Sequence, residues 1–115
     1  SERTVLKIPK ILAPYQCAIL PLVKKDSLPD FAKELKNLLK LKFKLTYDEK
    51  DAIGRRYRRQ DALGTPFCVT VDHQTIKDKT VTVRDRDSMT QNRIKVDELE
   101  KFLFKSFDIS NWLKQ

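Results

Sequence analysis

Only two glycines occur in 115 residues, Gly54 and Gly64. Neither lies in a G-x-x-x-x-G-K-[ST] or G-x-G-x-x-G string, so no loop for cradling a nucleotide phosphate is visible and both read as turn or packing residues. Cysteine is equally sparse. Cys17 and Cys68 are too far apart for a zinc knuckle and too few for a disulfide framework, and with the single histidine, His73, they offer at most three soft ligands of unrelated spacing. They read as buried free thiols. His73 has no serine or cysteine nucleophile beside it in a recognisable motif and reads as an ordinary loop histidine. No run approaches the roughly 18 apolar residues needed to cross a bilayer, and no signal-peptide pattern opens the chain. A cytoplasmic protein with no membrane partner is expected.

What is abundant is positive charge. The chain carries 24 Lys and Arg against 16 Asp and Glu, a formal charge of +8, which attracts a polyanion or an acidic surface over long range. The length suits one domain with a single core. Residues 1–12 read as a tether, 13–107 as the domain and 108–115, with Trp112, as a tail. The start at Ser1 predicts a segment of something larger.

Along the chain the hydrophobic period switches repeatedly. Cys17 to Leu22 is a short apolar run, read as a buried strand. Ser27 reads as a helix cap with Asp30 as its partner, opening an amphipathic helix on Phe31, Leu35, Leu38 and Leu39. Phe43 to Tyr47 alternates as a second strand, and a helix from about Ala52 ends at Gly64. Phe67 to Asp72 forms a third strand. Thr80 to Arg86 and Asn92 to Val96 form a fourth and fifth joined as a hairpin, and Asp97 caps a last helix burying Leu99, Phe102 and Leu103. Two crossovers followed by two hairpins predict an α/β fold: a five-stranded mixed sheet flanked by three helices.

The stretch TVRDRDSMTQNRIKV, residues 82 to 96, alternates arginine with aspartate. Strand geometry puts Val81, Val83, Asp85 and Asp87 on one side and Thr82, Arg84 and Arg86 on the other. Ile94 and Val96 take the apolar side of the next strand, leaving Arg93 and Lys95 opposite. With Thr70 and Asp72 from the third strand, Arg84, Arg86, Arg93 and Lys95 are expected to share one solvated, basic sheet face. Asp85 and Asp87 stand among arginines, and nearby cations favour the charged form of a carboxylate, a setting that suits binding better than acid–base work.

A second basic stretch is IGRRYRRQDALG, residues 53 to 64. On a helical wheel Ile53 and Tyr57 share one face, whereas Arg55, Arg58 and Arg59 cluster on another. Such a row suits phosphate oxygens, which match the planar guanidinium fork. It equally suits pairing with Asp48, Glu49, Asp51 and Asp61.

Together GRRYRRQDALGTPFCVTVD and TVTVRDRDSMTQNRIKVDELEKFL resemble the C-terminal anticodon-binding domain of homodimeric, class II glycyl-tRNA synthetases. The resemblance covers about Ala13 to Phe104. It departs at Ala62 and Leu63, where glutamate and isoleucine are usual, and at polar Asn92. The broader class, shared with prolyl, threonyl and histidyl enzymes, implies a five-stranded mixed sheet flanked by three helices. It also implies that the strand carrying V-x-V-R-x-R supplies an arginine to the anticodon, here Arg86. Arg84, Asp85, Asp87 and Gln91 are implied as further anticodon-binding residues, and Arg55, Arg56, Arg59 and Arg93 as contacts to the tRNA backbone. The implied partners are glycine tRNA, through its anticodon stem-loop, and a preceding class II catalytic domain in a homodimer. ATP and magnesium would act in that catalytic domain, with no cofactor and no catalytic site in this segment. Two other readings fit a basic domain: a polymerase-accessory nucleic-acid-binding module of the same fold, and a protein-interaction domain with an acidic partner.

Overall fold

Cys17–Pro21 (β1) and Phe67–Val71 (β3) are buried at every position, as strands must be in the middle of a sheet covered on both faces. The structure, a computed structural model, describes residues 13–108. The tether expected at 1–12 and, beyond Asp108, the tail with Trp112 lie outside the described residues. The remaining elements are Leu28–Leu39 (α1), Leu45–Tyr47 (β2), Ile53–Leu63 (α2), His73–Asp78 (α3), Thr80–Asp85 (β4), Gln91–Lys95 (β5) and Val96–Ser106 (α4). The five strands form one mixed sheet in the order β2-β1-β3-β4-β5. β1 runs parallel to both β2 and β3, and β3, β4 and β5 alternate in direction.

The first connection steps from β1 outward to β2, and the second returns past β1 to β3. Crossovers of one hand that step in opposite directions place their helices on opposite faces. On one face, Ile19, Val69, Val71, Val81 and Val83 pack with Leu28, Leu35 and Leu39 of α1 and Leu99 and Leu103 of α4. On the other, Ala18, Leu20 and Cys68 pack with Ile53 and Tyr57 of α2. The face expected to be open to solvent is therefore roofed by α2 over β1 and β3. Only its β5 side stays exposed, where Gln91, Arg93 and Lys95 mark a charged sheet edge.

The three longer helices and five strands occupy the expected segments. The fourth helix, α3, replaces the expected β3–β4 hairpin turn and includes His73. Asp72 and Thr75 form a reciprocal capping box at its start. A six-residue helix is too short to show a hydrophobic period. Ser27 does precede α1, but it adopts a left-handed conformation (φ 65°) and its side chain caps nothing; Pro29 occupies the first turn. Asp97 lies in the first turn of α4 rather than at its cap, which is Lys95. Gly64 ends α2 as expected: its φ of 82° is a conformation that costs glycine little, and its N–H donates to the carbonyls of Gln60 and Asp61.

Candidate nucleic-acid interface

The arginines of α2 divide by helix flank. Arg56 points inward and is 2% exposed. Its guanidinium donates to the carbonyls of Pro21 (2.5 Å), Leu22 (2.9 Å) and Asp48 (3.1 Å), tying α2 to the C-terminal ends of β1 and β2. Burial lowers its pKa, opposed chiefly by the charge of Asp48. Arg56 is thus a structural tie and not the backbone contact expected of it, because three carbonyls take its fork and no solvent reaches it. Arg59 lies on the flank toward β2, held between Asp48 and Asp51. Arg55 and Arg58 are exposed and form no ion pair among the described residues. Gly54 and Arg58 follow the flank of Asp61, the one that meets β4.

Where α2 meets β4 a layered arrangement forms. The Tyr57 hydroxyl lies 2.7 Å from the Thr70 hydroxyl of β3, and the Arg84 guanidinium sits over the Tyr57 ring, 5.0 Å from its centroid. The two carboxylate oxygens of Asp61 accept from Nη1 and Nη2 of Arg84 at 2.8 and 3.0 Å, a fork-on-fork pair. Met89 Sδ lies 3.5 Å from Nη2. The hydrogen bonds that Arg84 donates to Asp61 raise the Arg84 pKa above its ordinary value. With its side chain 12% exposed, Arg84 is part of the scaffold rather than the open platform expected from strand parity. The reason is α2, whose coverage of that face no strand pattern reveals.

Arg86 follows the end of β4 and is 8% exposed. Its N–H donates to Pro66 O (2.9 Å), its Nε to Asp61 O (3.1 Å), and its Nη1 to Asp87 Oδ1 (3.3 Å). The Asp87 side chain is 41% exposed and that of Arg86 7%, so the pair sets an acceptor at the rim with its donor just behind it. Asp85 plays another part: its Oδ1 accepts from the N–H groups of Asp87 (2.9 Å) and Ser88 (3.2 Å), which shapes the β4–β5 turn. Gln91 is exposed and lies directly across from Arg84 on β5. Arg93, further along that edge, forks onto Asp72 (2.5 and 3.3 Å) and reaches Thr80 Oγ1 (3.0 Å). Burial pushes the Asp72 carboxyl up, but hydrogen bonds from Arg93 and Thr75 outweigh it and hold the group below the ordinary carboxylate range.

The structure thus brings Arg84, Asp85, Arg86, Asp87 and Gln91 to one end of the β4–β5 hairpin, places Arg93 on its edge, and separates Arg56 and Arg59 from them. Tyr57 and Asp61 organise the site, beyond the anchoring and charge-pairing parts expected of them. Their i, i+4 spacing placed them on one helical flank, but their meeting with β4 depends on the crossover. A groove of about 760 Å³ between Phe43, Lys42, Phe104 and Lys101 involves none of these residues.

A family model described as "Anticodon binding domain" matches residues 16–106, which includes every element above. The chain belongs to the anticodon-binding domain family. Among its relatives are glycine–tRNA ligases of Treponema denticola, 57% identical over 97 residues (84% of this chain, 22% of that protein), and of Thermococcus kodakarensis, 52% identical over 103 residues (89% and 18%). The chain spans about a fifth of the length of these relatives. Its fold resembles prolyl-tRNA synthetase of Cryptosporidium parvum complexed with halofuginone and AMPPNP, with a TM-score of 0.79, 25% identity, and coverage of 95% of this chain and 24% of that one. The RNA-binding domain of threonyl-tRNA synthetase from the same organism superposes with a TM-score of 0.76 at 24% identity, covering 86% of this chain and 25% of that one. In this anticodon-binding domain the two motif strings therefore lie on α2 and on the β4–β5 hairpin, the elements that meet at Asp61.

Proposed function

We propose that this domain reads the anticodon of glycine tRNA on behalf of a glycine–tRNA ligase, a class II synthetase. The observation that carries the reading is the Arg86–Asp87 pair at the rim of the hairpin, in a chain more than half identical to glycine–tRNA ligases over its matched length. Cytosine, which ends glycine anticodons twice over, presents an amino donor beside ring and carbonyl acceptors. Asp87 accepts from the amino group while the neighbouring guanidinium of Arg86 donates to the acceptors, and Gln91 supplies an adaptable amide from across the hairpin. Anticodon bases splayed from an RNA loop can be taken up in this way. Arg55 and Arg58 hold the phosphates, with Arg93 at the sheet edge and Arg59 contributing less because aspartates already hold both.

On this reading the chain's own residues supply recognition. ATP, magnesium and glycine would be held by the preceding catalytic domain of a homodimeric, cytoplasmic enzyme. The test is a titration of the 115-residue chain with a glycine anticodon stem-loop and with versions carrying uridine at either cytosine. Loss of affinity for both substituted loops is expected, and equal affinity for all three would refute base readout.

A further inference from the structure

Arg84 carries the most exacting geometry in the interface, and all of it faces the protein. Asp61 takes both ends of its fork, Tyr57 lies under its plane and Met89 sulfur closes one side. A guanidinium at the mouth of an RNA site would otherwise bind any phosphate presented to it, since phosphate matches the same fork that carboxylate does. We propose that Asp61 is a selectivity-setting residue: it occupies the Arg84 fork as a built-in anion and keeps that cation from capturing RNA backbone, so that binding is decided at the neighbouring Arg86–Asp87 pair. Asp61 acts on Arg86 as well, because its backbone carbonyl accepts from Arg86 Nε at 3.1 Å. One residue of α2 thereby silences one arginine and aims the next. For its effect on base choice this inference rests on the anticodon reading; the restraint on Arg84 stands apart from it.

The two are separated by measuring affinity across a salt series for the cytosine stem-loop and its uridine counterpart, using native protein, Asp61→Asn, Arg84→Gln and the double variant. Asp61→Asn keeps the shape but removes the competing charge. It is expected to bind both loops more tightly and to steepen the log–log salt dependence by about 0.7, the increment of one added phosphate contact on a single strand. The preference for cytosine should shrink at least about threefold as this unselective contact grows. Adding Arg84→Gln should cancel the gain, and Arg84→Gln alone should leave the native slope unchanged. A merely structural aspartate would instead weaken binding when changed. An unsteepened slope in Asp61→Asn, or a gain that survives the loss of Arg84, overturns the proposal. Native protein that binds both loops equally refutes the anticodon reading, and the slopes still decide the restraint. Should Asp61→Asn not fold, Arg84→Gln decides alone: a slope shallower by about 0.7 would show that Arg84 already holds a phosphate and would overturn the proposal.

Discussion

Nη1 of Arg86 lies 3.3 Å from Oδ1 of Asp87, a donor and an acceptor set side by side at the mouth of the β4–β5 turn. The two groups have opposite consequences for a base. Arg86→Ala should remove most preference among anticodons, whereas Asp87→Asn should blunt discrimination between cytosine and uridine, since a flippable amide offers uridine a donor where the carboxylate offers none. A buried polar mismatch costs about 1–3 kcal/mol, so native discrimination of at least about fivefold per cytosine is expected. Binding of the three stem-loops to both variants measures it.

The phosphate contacts should behave differently. Arg55→Ala and Arg58→Ala are expected to weaken all RNAs alike and to lower the salt slope by about 0.7 each, leaving the ranking of anticodons intact. Arg59→Ala should do less, because Asp48 and Asp51 already hold that side chain. If the Arg58 variant changed selectivity and left the slope alone, the division into phosphate and base contacts would be wrong.

Arg56→Ala tests the structural assignment. It leaves the carbonyls of Pro21, Leu22 and Asp48 without their donor and detaches α2 from the strand ends. A loss of about 2–4 kcal/mol is expected, comparable to breaking a buried hydrogen-bonded network. At roughly 4–8 °C per kcal/mol for a domain of this size, the midpoint of a thermal melt should fall by at least about 8 °C. A melt within about 2 °C of native would place Arg56 back on the surface.

The Arg93–Asp72 pair should contribute to acid sensitivity. The folded carboxyl of Asp72 lies below its ordinary range, so its stabilisation is complete above the unfolded value of about 3.9 and is lost as pH falls through the lower folded value. Arg93→Ala removes part of that depression. The stability difference between native and variant should therefore be widest near neutral pH and close below about pH 4. Urea melts at a series of pH values measure it, and a difference that widened on acidification would contradict the sign.

Cys17 and Cys68 serve as internal probes of opening. Burial raises the thiol of Cys17 well above its ordinary range and pushes Cys68 up to about 12, with Arg84 pulling the latter back slightly. Folded protein should resist alkylation at about pH 8, and both thiols should react at once in denaturant. Rapid labelling of the folded chain would show that β1 or β3 is accessible.

Much of the site was legible in residue order alone. Strand parity already set Arg84 with Arg86 against Val81 and Val83, the helix wheel set Ile53 and Tyr57 against Arg55, Arg58 and Arg59, and Gly64 marked where α2 must stop. The two motif strings carried the family. These are local properties, determined by the strand period of two, the helical turn and the backbone freedom of glycine. Three things came only from tertiary structure: that Arg56 turns inward to three carbonyls, that α2 roofs half of the supposedly solvated face, and that Asp61 meets Arg84 from 23 residues away. Each depends on which face of the sheet the second crossover takes. That choice is made by packing and chain handedness across the whole domain, and it decides whether an arginine becomes a tie, a held cation or a reader.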